Sequence, residues 1–167
     1  MRVGVHQGNL CGTMTTDQDP PEALTRPATS HDERAVLAVD ANASAADQER
    51  QEVLREGVRT GQCIVYERDA HVLGVLVLKP RHFYGRDFID RLFVSADARR
   101  EGIGRALIRA AVDSASTPRV FTSTNKSNTA MQALLRSEGW SPSGELVGLD
   151  ENDPELVYYR SRGGRSL

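Results

Sequence analysis

Cysteine is scarce in this chain. Cys11 and Cys63 are the only two, and their separation matches neither a redox pair nor a set of metal ligands. Neither a disulfide framework nor a zinc site is supported, and a reducing cytoplasm is the expected setting. Long apolar runs are missing too: no stretch approaches the roughly 18 residues that a membrane span requires. The opening MRVGVHQGNLCGTMTTDQDPPE lacks the apolar centre of a signal peptide. There is no excess of one charge sign either. A formal net charge of -2 and a pI near 6.1 provide no broad basic field for nucleic acid or an anionic membrane. Any anion must be held by a local feature.

What is present suits one compact domain: 167 residues, 39% apolar and 26% charged, enough to bury a core. Residues 1–22 offer no apolar face and read as a disordered extension; residues 23–160 form the domain and 161–167 a flexible tail. Within the domain, ALTRP is a short extended piece, and Ser30 or Asp32 caps a first helix reaching about Asp40. Ser44 and Asp47 have the form of a capping box for a second helix that Gly61 ends. CIVYE and VLGVLVL, around the turn RDAH, read as a hairpin whose second strand Pro80 terminates. FIDRLFV (88–94) is a third strand, followed by a helix carrying Leu107, Ile108, Ala111 and Val112 on one side. RVFTST is a strand. Asn128 caps a helix with Ala130, Met131, Leu134 and Leu135 on its apolar face, ended by Gly139, with Trp140 packing in the core. GELVGL and ELVYYR close the sheet around an acidic turn in which Asp150, Glu151, Asp153 and Glu155 read as solvated charge, the alternative being a cluster that attracts a cationic acceptor. The class is α/β with a mixed sheet.

The chemistry-bearing stretch is ARREGIGRAL, residues 98–107. Two glycines one residue apart stand between a strand and a helix, so the amides of Gly102, Ile103, Gly104 and Arg105 face outward at the positive end of the helix dipole. Arg99, Arg100 and Arg105 add charge-assisted donors. This is a cradle for a diphosphate. No Lys-Ser/Thr pair follows, which excludes the nucleoside triphosphate loop, and Leu107 stands where a dinucleotide fingerprint needs Gly or Ala. The remaining pattern is R/Q-x-x-G-x-G/A, carried by Arg99, Gly102 and Gly104.

From about residue 24 to 159 the chain resembles the GNAT superfamily of acyl-CoA-dependent N-acetyltransferases. LTRPATSHDERAVLAV resembles its opening strand and first helix, LFVSADARREGIGRALI its acyl-CoA motif, and NTAMQALLRSEGW its later helix. The resemblance implies a single domain, α/β in the α+β sense. Its central sheet is mostly antiparallel, twisted, and splayed between two central strands with helices on both sides. It implies acetyl-CoA as cosubstrate, with the diphosphate on the amides of Gly102 to Arg105. The pantetheine arm then lies along Leu92, Phe93 and Val94 like an added strand, helped by Asn125 and Asn128. The activity implied is acetyl transfer to a primary amine on a small molecule, peptide or protein, in a protein that needs no metal and pairs in many relatives. The alternative is a non-catalytic acyl-CoA sensor or scaffold.

The proton carriers depart from the family pattern. Leu135 occupies the position of a common tyrosine acid, and Phe88 and Ser123 those of common glutamates. Asp90, acting through water, His82 in the preceding turn, and Tyr158 or Tyr159 are the substitutes. On a regular strand Asp90 shares the face of Leu92 and Val94, whereas a bulge turns it away. Its other role is an ion pair with Arg91. The two tyrosines face opposite sides, so only one can reach the site.

Overall fold

The computed structural model describes residues 23–39 and 48–163. The readings placed on residues 1–22, on Asp40, on the Ser44 and Asp47 box and on residues 164–167 lie outside these. In chain order the elements are β1 (Ala23–Pro27), α1 (Glu33–Val39), α2 (Gln48–Arg59), β2 (Cys63–Arg68), β3 (His71–Phe83) and β4 (Arg86–Val94). There follow α3 (Ile103–Ser114), β5 (Arg119–Asn125), α4 (Thr129–Ser137), β6 (Ser141–Leu146) and β7 (Glu155–Ser161). The sheet order is β1-β2-β3-β4-β5-β7-β6, and every neighbouring pair is antiparallel except β4 with β5.

Period-two and helical patterns sort the core onto the two faces of this sheet. One face carries Leu76, Leu78, Ile89, Val120 and Tyr158 against Ile103, Leu107, Ile108 and Ala111 of α3 and Leu135 of α4. The other carries Cys63, Val65, Val75 and Val77 against Val36 of α1 and Leu54 and Val58 of α2. Each such aliphatic side chain contributes roughly 1.5–3 kcal/mol relative to exposure. Burial pushes the Cys63 thiol up to about 12, so it acts as a small apolar side chain. Trp140 is 4% exposed, as its sequence position implied.

Several expectations need correction. The cap before α1 is Thr29, whose amide and hydroxyl donate to Asp32 Oδ2 at 2.7 and 2.9 Å. Asp32 is instead the far member of that box, held below the usual carboxylate range mainly by the Arg26 guanidinium. Ala130 is exposed, and α4 buries Gln132 with Leu135. Pro80 does not end β3. Its missing N–H interrupts the ladder between Lys79 and Phe83, and the chain resumes pairing at Phe83 with Arg86 across the left-handed Tyr84 and Gly85. The tail expected from residue 161 overlaps β7 at Ser161, and Arg162 donates its amide to Pro118 O at 2.9 Å.

A buried carboxylate fixes the start of β4. Asp87, 1% exposed, accepts from the amides of Arg81 (3.0 Å) and Thr117 (3.3 Å) and from the hydroxyl of Ser116 (2.9 Å). Its own amide donates to Thr117 Oγ1 at 3.0 Å. Burial alone pushes its pKa up, but these hydrogen bonds together outweigh it and hold the group low.

Gly74 of β3 answers a packing demand. A Cβ there stands 2.7 Å from Ile103 Cγ2, 2.9 Å from Leu107 Cδ1 and 3.3 Å from the Phe93 carbonyl. The first turn of α3 therefore rests directly on β3 backbone. Gly74→Ala is expected to lower the unfolding free energy by about 1–3 kcal/mol, read as a reduced denaturant midpoint at unchanged slope.

Candidate active site

β4 and β5 run together only briefly. Asp87, Phe88 and Ile89 pair with Val120, Phe121 and Thr122, and the Thr122 hydroxyl donates to Ile89 O at 3.0 Å. Beyond that point β4 continues to Val94 and β5 to Asn125 with no ladder between them. A bulge accompanies the parting: Leu78 pairs with Ile89 but Val77 with Arg91, so Asp90 is the extra residue on β4. A bulge bends its strand and sharpens the local twist. The sheet thereby opens a notch whose β4 side has backbone groups free of β5.

The bulge decides which side chains face which way. Ile89, Leu92 and Val94 all belong to the α3 layer, while Phe93 packs in the opposite one. Asp90 is turned from Leu92 and Val94 toward Lys79 (3.1 Å) and Arg91 (3.5 Å). The regular-strand expectation for Asp90 is thus overturned by the inserted residue, and its carboxylate stands between two cations. Tyr158 is 3% exposed and sits in the α3 layer with Ile89, Val120 and Trp140. Tyr159 lies on the other face, beside the Phe121 ring (5.8 Å between centroids) and beneath the Arg119 guanidinium. Leu135 is wholly buried.

Above the notch stands the opening turn of α3. Gly102 is its N-cap at φ 83°, and Arg100 is left-handed at φ 68°. Gly102 has no side chain with which to cap the helix, and the amides of Ile103, Gly104 and Arg105 precede Ala106, the first residue with an acceptor in this turn, at Gly102 O. The two glycines have different duties. Gly102 allows the left-handed turn; Gly104 allows close approach, since a Cβ there would stand 3.2 Å from Leu134 Cδ2.

The basic side chains are less uniform than their sequence spacing implied. Arg100 makes no hydrogen bond or ion pair among the described residues, and Arg99 Nε reaches Val94 O only at 3.5 Å. Arg105 is drawn aside to Glu138, at 2.9 Å. Glu138, with a side chain 2% exposed, also holds Arg109 at 2.6 Å and Arg160 at 3.9 Å, tying the end of α4 to α3 and β7. Asn128 caps α4 by accepting from Met131 N at 3.1 Å, and Asn125 donates to Asp150 Oδ2 at 2.8 Å.

One residue of the acidic turn lies beside the notch. Glu155 opens β7 opposite Asn125, so its carboxyl shares the face of Ser123 beside the notch, and Oε2 is buried with no hydrogen-bond partner. Burial is the main reason its pKa is raised, with the negative charges of Asp150 and Asp153 adding to it; the Ser123 hydroxyl and Arg91 act the other way. The sequence signal was the alternation of ELVYYR, which puts Glu155 on the face of Tyr159; its distance from the glycine motif concealed it.

The family model of the GNAT acetyltransferases matches residues 14–140, and the chain belongs to that family. Its members use acetyl-CoA. Among solved structures, a GNAT acetyltransferase from Bacillus cereus superposes with a TM-score of 0.78 at 26% identity, over 84% of this chain and 98% of that one. Ribosomal-protein-alanine N-acetyltransferase from Brucella melitensis gives 0.67 at 27%, over 83% and 99%. Diaminobutyrate acetyltransferase from Paenibacillus lautus, in complex with its substrate L-2,4-diaminobutyric acid and coenzyme A, gives 0.66 at 15%, over 89% and 99%. No curated protein matches the chain. Among the described residues, no helix is long and apolar enough to cross a membrane.

Glu138→Ala removes a buried carboxylate that gathers three partly exposed arginines and is expected to lower the denaturant midpoint, with the loss limited because water can solvate the arginines left behind. Chemical denaturation measures it.

Proposed function

We propose that the protein is an N-acetyltransferase that moves the acetyl group of acetyl-CoA to a primary amine. The observation that carries this reading is the coincidence of the notch between β4 and β5 with the uncapped amides at the start of α3. A diphosphate suits the turn of Gly102 to Arg105: the amides supply fixed donors at a positive helix end, and the left-handed Arg100 and Gly102 keep the backbone bare. Arg100, without another partner among the described residues, supplies a charge-assisted bond; Arg99 and Arg105 can add theirs by leaving Val94 O and Glu138. The β4 backbone at Leu92, Phe93 and Val94, unpaired on its β5 side, offers strand-like hydrogen bonds to an extended arm, with Asn125 and Asn128 flanking the far rim. Bound acetyl-CoA supplies an activated acyl carbon at the notch.

The protein's own task is then to hold the acceptor amine there and relieve it of a proton. A lysine-like amine with a pKa near 10.4 is neutral in only about one molecule in 2,500 at pH 7. The face beside the notch opposite α3, where Phe83 packs on Phe88 and Phe121 and Ser123 follows, supports entry of the amine.

Calorimetry and mass spectrometry test the reading together. Coenzyme A should bind and, at a hundredfold excess over Kd, stabilise the fold by about 2.7 kcal/mol. Arg100→Ala should weaken that binding roughly tenfold, the value of one charge-assisted bond. Incubation with acetyl-CoA and a panel of amines should yield acetylated product. Stabilisation by coenzyme A without any acetylated amine would favour the sensor instead.

A further inference from the structure

Acetyl transfer leaves one question that the fold itself addresses: which group takes the proton. We infer that Glu155, delivered to the notch by β7 rather than by either strand that forms it, is the proton acceptor for the incoming amine and the anion that first holds it as an ammonium. This inference rests on the protein being an N-acetyltransferase.

Geometry singles the residue out. Ser123 is the first residue of β5 past the end of the β4 ladder on the open face, and register places Glu155 diagonally beside it, opposite Asn125. Its Oε2 is buried yet accepts no hydrogen bond. A buried carboxylate oxygen without a donor is costly to the fold, and an ammonium seated at the notch would supply the missing one. The other candidates are placed less well. Asp90 Oδ2 is likewise buried without a hydrogen bond but is ion-paired with Lys79 and Arg91, His82 is exposed to solvent beside the Phe88 ring, Tyr158 is sealed in the α3 layer, and Tyr159 lies against Phe121 under Arg119.

The charged groups acting on Glu155 come from each neighbouring element. Arg91 from β4 favours its charge, while Asp150 and Asp153 from the turn between β6 and β7 oppose it. Asp150 is tied to Asn125, and Asp153 accepts from the Ser127 amide and hydroxyl at 2.9 and 2.6 Å. The two aspartates therefore stay in place beside Glu155 and add to a negative field that selects a cationic acceptor.

The step balances without a further reagent. The ammonium gives one proton to Glu155 Oε2, directly or through one water. The freed lone pair of nitrogen makes the C–N bond while the thioester C–S bond breaks and sulfur keeps its electron pair. The surplus proton of nitrogen goes to sulfur, and Glu155 returns its proton to solvent. The products are an amide, coenzyme A thiol and one released proton. A carboxyl whose pKa is raised holds that proton better than an ordinary glutamate does.

Glu155→Gln, isosteric and neutral, tests this in the full chain. At pH 7 the variant should lose roughly a hundredfold or more in kcat/KM, and with it the acid limb of the pH profile. Coenzyme A affinity should stay within about twofold, since the residue stands apart from the diphosphate turn. Because a raised carboxyl pKa means that the charged form burdens the fold above that pKa, a burden that disappears as pH falls through it, the variant should melt no lower than the parent at pH 7. A purely structural glutamate would instead lower the melting temperature. Carbon-13 NMR of the ligand-free protein should show one glutamate carboxyl titrating above the usual range, absent in the variant. Parent and variant with indistinguishable kcat/KM, sharing one acid limb, would overturn the assignment while leaving acetyl transfer intact. A parent that transfers to no amine would overturn the transfer reading and this inference with it.

Discussion

The short parallel pairing of β4 with β5 is the constraint on which the rest depends. Parallel strands need a crossover, here α3, and gain slightly less per pair than antiparallel ones; three residue pairs alone would not hold two strands in register. Asp87 supplies the missing hold. Its buried carboxylate gathers the Arg81 amide, the Ser116 hydroxyl and the Thr117 amide, so the loop before β5 is fastened to the first turn of pairing. With one end clasped, the twist of each strand and the bulge at Asp90 drive the other ends apart. The notch is thus a consequence of where the clasp sits.

The same divergence explains why the α3 helix starts where it does. Gly74 lets Ile103 and Leu107 descend onto β3, and Gly104 lets Leu134 come against α3 from α4. The helix is seated along its length, from Ile103 through Leu107, Ile108 and Ala111 to Val112, and the left-handed Gly102, with open space around it, leaves the first amides without a capping side chain. Charge around this turn is arranged for the fold as much as for a ligand: Arg105 and Arg109 serve Glu138, and Arg68 pairs with Glu101 at 2.6 Å.

Local physics was legible in the sequence and distant pairing was not. Hydrophobic periodicity identified α3 and its buried face, Asn128 announced itself as a cap, and the glycine pair marked the strand-to-helix turn. Pro80 does not stop β3, because the pairing with β4 skips it and resumes at Phe83. Thr29 was passed over in favour of its neighbours because Ser, Thr and Asp compete as caps within one turn. Asp90 could be placed only once the β3 register revealed the extra residue. Gly74 and Glu138 owe their roles to elements far away in sequence, α3 for one and both α3 and β7 for the other, and no local pattern encodes such contacts.

A gap in a sheet imposes a chemical restriction on the residues that line it. The bulge that opens β4 also rotates Asp90 toward Lys79 and Arg91, so the strand that makes the notch is the one that loses its carboxylate to ion pairing. β5, on the other rim, carries only the hydroxyl of Ser123 at the corresponding place. A carboxylate must then come from the next strand out, and the antiparallel register of β7 on β5 sets Glu155 diagonally across from Ser123 on the face that Phe121 and Tyr159 share. Because Glu155 pairs with both Asn125 of β5 and Leu146 of β6, that carboxyl is held by a rigid element. Its desolvation is the cost of standing where a cation can reach it.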